Sequence, residues 1–113
     1  MTIEIVPWDS RWPARFESER AAIADTLRPW IVAGIEHIGS TAVADLAAKP
    51  VIDIMVPVAS LAASSGAVAA AATIGYLHYP YKPEVMHWFC KPSPEVRTHH
   101  LHLVPYRSRL WVE

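Results

Sequence analysis

Apolar residues recur at every third or fourth position between residues 9 and 30, which is the spacing of one face of an α-helix. Pro29 ends this pattern, because proline cannot donate the hydrogen bond that a helix interior requires. The Ala-rich residues 61–75 predict another helix, which Gly75 closes. The apolar positions that define the first helix are Trp12, Phe16, Ile23 and Leu27.

The remaining apolar runs are typical of β-strands. Residues 51–58, VIDIMVPV, are almost continuously apolar and β-branched, as in a central strand covered on both faces. Together with the helices, the runs indicate an α+β domain with a mixed β-sheet. The other predicted elements are strands at 3–6, 31–38, 76–81, 86–91 and 98–104, a short helix at 41–48, and the beginning of a helix at 107–113.

Composition narrows the possible function classes. A chain of 113 residues that is 52% hydrophobic fits one domain, residues 1–113, and is not a disordered tail. A net charge of −1 without a basic stripe argues against bulk nucleic-acid binding. The longest apolar stretch, residues 67–74, is too short to cross a bilayer, so no membrane partner is expected. One cysteine, Cys90, and an N-terminus unlike a signal peptide predict a cytoplasmic protein.

A Gly39–Ser40 pair separates a predicted strand from the predicted short helix. Glycine lets the backbone approach a ligand closely, and free N–H groups of a following helix favour an anion such as phosphate. Ser40 and Thr41 add hydroxyl groups, and Lys49 adds a positive charge. The alternative is that Gly39 makes a turn and Ser40 caps the helix. The segment therefore predicts either a phosphate site or an ordinary helix start.

Asp53 lies in the middle of the most apolar predicted strand. An ionised carboxylate among apolar residues is unfavourable unless it is paired or binds a metal. One interpretation is an ion pair with Lys49, Arg97 or a histidine. The other is a metal-binding carboxylate that faces a cleft beside the Gly-Ser turn.

Histidines cluster in residues 97–104, RTHHLHLV. In a strand, His100 and His102 point to one face, because successive side chains alternate. If this strand lies beside that of Asp53, the three side chains form a two-histidine, one-carboxylate site that His37 can join. Such ligands suit Zn²⁺, Mn²⁺ or Fe²⁺ better than Mg²⁺. The alternative is that the histidines hydrogen-bond Asp53 and the backbone without a metal.

Three stretches of the chain resemble the GrpB family: IVPWDSRWPARFESER, IEHIGSTAVADLAAKPVIDIMVPV and RTHHLHLV. Gly39-Ser40, a dozen intervening residues and then an aspartate in an apolar strand also resemble the nucleotidyltransferase superfamily signature. The resemblance implies a nucleotidyltransferase-like mixed sheet flanked by helices. It also implies nucleotide phosphates at Gly39-Ser40, a divalent metal ion (Mg, Mn or Zn) at Asp53, and a third acid where the histidine strand lies.

The chain departs from this family pattern at several points. Met55 takes the place of the second metal-binding carboxylate, and a thioether is a poor ligand for Mg²⁺. Ala44-Asp45 stands where the family usually has Pro-Gly. Family members also usually continue further, through helices that cover the sheet. The short C-terminus predicts an uncovered apolar surface and hence a homodimer.

Two functions remain open. One is metal-dependent nucleotidyl transfer or other phosphate chemistry, and the other is a non-catalytic ligand-binding or protein-interaction domain that keeps the cleft. The expected ligand is a nucleotide or another phosphorylated small molecule. The candidates are Asp53, His100 and His102 for catalysis, Gly39, Ser40, Thr41 and Lys49 for phosphate, and Asp53, His100, His102 and His37 for metal.

Other polar and aromatic residues receive a simpler interpretation. Arg97 lies near a strand end and is taken as ordinary surface charge, with a phosphate contact as the alternative. Trp88 and Tyr79 are interpreted as sheet packing rather than a platform for stacking a base.

Overall fold

A computed structural model describes residues 5–79, 83, 85–92 and 97–106. Its sheet has five strands in the order β1-β2-β5-β4-β3; β2 and β5 are parallel, and the other neighbours are antiparallel. This mixed sheet confirms the α+β prediction. The elements are α1 (Trp12–Thr26), β1 (Glu36–Ile38), β2 (Ile52–Val58), α2 (Gly66–Ala72), β3 (Leu77–Tyr79), β4 (His87–Pro92) and β5 (Arg97–Pro105), with 3₁₀ turns at Arg28–Trp30 and Ser40–Ala42.

Both described α-helices contribute to one apolar core on one face of the sheet, here called the helix face. The four apolar positions that predicted α1 are buried there, which confirms the amphipathic helix. From α2, Ala67 and Ala71 are fully buried, since small side chains let that helix approach the sheet closely. The strands supply alternate residues, such as Ile54 and its partner Leu101. Burial of this face is the main apolar contribution to the fold.

The opposite face, here called the second face, carries the polar side chains of the central strands. Successive residues of a strand point to opposite sides, so Asp53 points away from the buried Ile52 and Ile54. In the parallel register, Asp53 is paired with His100 and Met55 with His102. A smaller apolar cluster of Met86, Trp88, Cys90 and Val104, with Met55 packed against it, lies beside them.

Some predicted elements are shorter than expected. The helix predicted at 41–48 is a single 3₁₀ turn, because Val43 is extended and Asp45 has a left-handed φ of 65°. The strand predicted at 31–38 is reduced to β1, with Ile31 making one isolated bridge to Val58. The prediction that residues 51–58 are covered on both faces was wrong at Asp53 and Met55, which are only partly buried.

Two predictions fall outside the described residues, namely the beginning of the strand at 3–6 and the helix start at 107–113. Across the described part of the chain, no helix has the length and apolar character needed to cross a membrane.

Candidate functional site

Asp53 is held by two imidazoles from the neighbouring strand. Because β2 and β5 run in parallel register, the side chains of Asp53, His100 and His102 converge on the second face. Asp53 Oδ1 lies 3.0 Å from His100 Nδ1 and 3.3 Å from His102 Nε2. The structure therefore brings together the three residues that the sequence placed in one cluster.

The histidines set the charge state of this carboxylate. Burial acts to raise the pKa of Asp53, but the hydrogen bonds from His100 and His102 outweigh it and lower the pKa to about 2. Asp53 is consequently ionised at neutral pH, and an ionised carboxylate only accepts hydrogen bonds. Each imidazole must then be the donor towards Asp53 Oδ1.

Gly39 approaches the other oxygen of the same carboxylate. Its backbone has φ 76° and ψ −174°, a conformation that side-chain-bearing residues rarely adopt. A Cβ atom at this position would lie 2.8 Å from Asp53 Oδ2. The Gly39–Ser40 turn thus borders the Asp53 carboxylate, and Ser40 is exposed there.

His37 and Thr41 lie away from this cluster, on the helix face. The His37 ring stacks on Phe16 with 4.8 Å between ring centroids. The buried Thr41 hydroxyl donates to the Val51 carbonyl at 3.1 Å, so His37 Nε2 donates to Thr41 Oγ1 at 3.0 Å. Burial lowers the pKa of His37, although the negative charge of Asp53 opposes this. The structure therefore does not bring His37 to the predicted metal site, or the Thr41 hydroxyl to the predicted phosphate site.

Lys49 is exposed, and its backbone carbonyl accepts a hydrogen bond from the Val51 amide at 2.8 Å. Of the partners proposed for Asp53, the structure selects the histidines: the ion pairs found for Asp53 within the described ranges are those to His100 and His102. A positive charge from Lys49 is not part of this arrangement.

A pocket of ≈ 360 Å³ opens beside the histidines on the second face. The Arg97 guanidinium lies 5.3 Å from the centre of the Trp88 ring and 5.9 Å from that of Tyr79. The Trp88 ring in turn packs on His100, with 4.8 Å between ring centroids. The pocket combines a cation, aromatic rings and imidazoles; its lining residues are Tyr79, Trp88, Arg97, His100 and His102.

Arg97, Trp88 and Tyr79 were not predicted as site residues. Strand alternation would place Arg97 with His99, on the side opposite His100. The register between β4 and β5 shifts between Lys91 and Pro92, next to Arg97, and such irregularities redirect side chains. Trp88 faces the histidines through its pairing with His102, which requires knowing that β4 lies next to β5.

A model of the GrpB protein family matches residues 2–113. This chain belongs to the GrpB family. Membership is consistent with the resemblance to the nucleotidyltransferase-like superfamily seen in the sequence. The crystal structure of the conserved protein GrpB from Enterococcus faecalis has a TM-score of 0.85 to this chain at 29% sequence identity. That match covers 96% of this chain and 66% of the other.

Curated GrpB relatives are longer than this chain. A UPF0157 protein of Pseudomonas aeruginosa is 38% identical over 108 residues, covering 91% of this chain and 44% of the relative. A UPF0157 protein of Deinococcus radiodurans is 36% identical over 107 residues, covering 95% of this chain and 53% of the relative. The chain therefore spans about half the length of the curated relatives it matches.

The donor set of this GrpB-family chain does not suit Mg²⁺, which takes oxygen ligands at short, regular distances. Asp53 is one carboxylate, and Met55 packs against an apolar cluster in the place of the second. Within the described ranges, no group of three His, Cys, Asp or Glu side chains is arranged to hold a metal ion. Zn²⁺ or Mn²⁺ binding by Asp53, His100 and His102 stays a prediction. A metal ion bound there would have to replace the hydrogen bonds between the imidazoles and the carboxylate.

Proposed function

We propose that this chain binds a small phosphorylated molecule, with nucleotides as the first class to test, in the pocket of the second face. The observation that carries the proposal is the position of Arg97, whose guanidinium lines the same ≈ 360 Å³ pocket as His100 and His102. This volume lies within the range of roughly 300–1,000 Å³ typical of small-molecule sites.

The chemistry of the pocket fits the two parts of a nucleotide. Guanidinium groups recognise phosphate through charge and through a planar fork of N–H donors. The Tyr79 ring, which is 43% exposed, offers apolar surface of the kind on which a nucleobase stacks, and the buried Trp88 ring lies beside it in the pocket lining. Arg97 already lies over both rings, so its cationic group and the aromatic surface are adjacent.

A second candidate function is metal-dependent nucleotidyl transfer. The observation that favours it is the close approach of the Gly39 backbone to the Asp53 carboxylate, because the superfamily signature has a Gly-Ser turn beside a strand aspartate. The lone carboxylate and Met55 weigh against it, since stabilising a transferred phosphoryl group with two metal ions needs several acidic ligands. Phosphate-ligand binding is therefore the better supported function.

Calorimetric titration with nucleoside mono-, di- and triphosphates tests the binding proposal. The matched variants are Arg97→Gln in the pocket and Arg20→Gln on α1, where the arginine pairs with Glu17 on the surface. We expect Arg97→Gln to weaken binding at least about tenfold, a loss of about 1.4 kcal/mol, and Arg20→Gln to leave it unchanged. Equal affinity of the two variants, or no binding of any nucleotide by folded protein, would refute the proposal.

Thermal unfolding in the presence of the same nucleotides, with and without Mg²⁺, Mn²⁺ and Zn²⁺, tests the metal prediction. A nucleotide present at a hundred times its Kd stabilises the folded protein by about 2.7 kcal/mol, which thermal unfolding detects readily. A shift that needs the metal and is lost in Asp53→Asn, together with pyrophosphate release, would support nucleotidyl transfer. Binding without pyrophosphate release would leave the chain as a ligand-binding domain.

A further inference from the structure

We infer that His100 and His102 act as hydrogen-bond acceptors for the ligand, so that the pocket selects a phosphate group that still carries a proton. This inference rests on the proposed function and specifies the chemical form of its ligand. It identifies Asp53 as a positioning residue, which holds the two imidazoles instead of contacting the phosphate.

In the neutral form of His100 and His102, the hydrogen bonds to Asp53 decide which ring nitrogen carries the proton. A neutral imidazole has one N–H donor and one acceptor nitrogen, and the proton position is inferred from its partner. His100 donates from Nδ1 to Asp53 Oδ1, which leaves its Nε2 as the acceptor. His102 donates from Nε2 to the same oxygen, which leaves its Nδ1 as the acceptor. The histidines thus turn their donors towards Asp53 and keep acceptors for other partners.

One of these acceptors has no partner in the described part of the chain. His100 Nε2 is a buried atom without a hydrogen bond there, although buried polar groups in folded proteins are generally satisfied. His100 lines the pocket, and the Trp88 ring packs on it at 4.8 Å between ring centroids. Because Nε2 is buried, a ligand N–H or O–H group reaches it only when the side chains packed around His100 move.

The Arg97 side of the pocket requires hydrogen-bond acceptors on the ligand, whereas the imidazole nitrogens require a donor. The Arg97 guanidinium has only donors and prefers anionic oxygens. A ligand group that satisfies both walls must have charged oxygens for Arg97 and a hydrogen for an imidazole nitrogen. A protonated phosphate has both, because its P–OH group donates while its remaining oxygens accept. Sulfate has the same shape but carries no proton at neutral pH.

Calorimetric titration of the protein with inorganic phosphate and with sulfate at pH 7 and equal ionic strength tests this inference. We expect phosphate to bind at least about tenfold more tightly, because sulfate would face the acceptor nitrogens with oxygens that cannot donate. The variants His100→Phe and His102→Phe should lose this preference, whereas His78→Phe, outside the pocket, should keep it. Equal affinity of wild type for the two anions, or binding of neither, would overturn the inference.

Nuclear magnetic resonance of ¹⁵N-labelled histidine gives a readout that needs no variant. Long-range ¹H–¹⁵N spectra should show His100 protonated at Nδ1 and His102 protonated at Nε2, with the His100 Nε2 signal changing when phosphate is added. A His100 ring protonated at Nε2 in the folded protein would contradict the acceptor role. Failure of this inference differs from failure of the proposed function. If only this inference fails, nucleotides still bind in an Arg97-dependent manner while phosphate and sulfate bind equally.

Discussion

Asp53 and His100 are partners in the parallel register of β2 and β5, with Asp53 Oδ1 3.0 Å from His100 Nδ1. This pairing accounts for a single charge within a largely buried strand, because the neighbouring strand supplies the groups that stabilise it. His102 adds a second hydrogen bond to the same oxygen at 3.3 Å. The cluster is therefore part of both the fold and the candidate site.

The pairing of Asp53 predicts a defined dependence of stability on pH. Its pKa is about 2 in the folded state and 3.8 ordinarily, so its contribution of roughly 2 kcal/mol is complete above pH 3.8 and lost as pH falls through 2. We expect the difference in unfolding free energy between wild type and Asp53→Asn, measured by urea denaturation, to shrink between pH 4 and pH 2. A difference that stays constant over this range would contradict the account.

The Gly39 backbone predicts a specific intolerance to substitution. Gly39→Ala combines an unfavourable backbone conformation at φ 76° with a Cβ atom 2.8 Å from Asp53 Oδ2, so a destabilisation of about 2 kcal/mol or more is expected. Gly34→Ala is the control, because a Cβ there meets nothing within 4 Å. Thermal unfolding of both variants checks this, and similar losses in the two would show that Gly39 has no special role.

Some features of the site were predictable because they depend on local pattern. The alternation of β5 places His100 and His102 on one face, and the cost of a buried charge calls for partners of Asp53. Other features depend on how distant segments meet. His37 pairs with Ile54 across β1 and β2 and therefore faces the helices, a register that the sequence did not reveal. Arg97 reaches the pocket beside a shift in strand register, which simple alternation does not anticipate.

Asp45 has a backbone conformation that glycine adopts with less strain. It has φ 65°, where side chains with a Cβ atom are strained and glycine is not. We expect Asp45→Gly to raise the unfolding free energy by about 0.5–1 kcal/mol and Asp45→Ala to lower it. Chemical denaturation of both variants measures this, and a loss of stability on introducing glycine would contradict the conformational argument.

The homodimer remains a prediction. Several large apolar side chains are exposed in the described residues, among them Val43 and Leu46 in the segment after the Gly39–Ser40 turn. Light scattering at micromolar concentration should give twice the mass of the 12.6 kDa chain. A monomer at micromolar concentration would contradict the predicted homodimer.

The most direct measurement for the central proposal is a titration of the ¹⁵N-labelled protein with nucleotides, followed through the side-chain signals of histidine and arginine. We expect saturable changes at Arg97, His100 and His102, with little change at His78 and His87, whose strand partners Phe89 and Leu103 lie on the helix face. Changes confined to residues outside the pocket, or no changes at millimolar nucleotide, would contradict the assignment of a phosphate-ligand site to the second face.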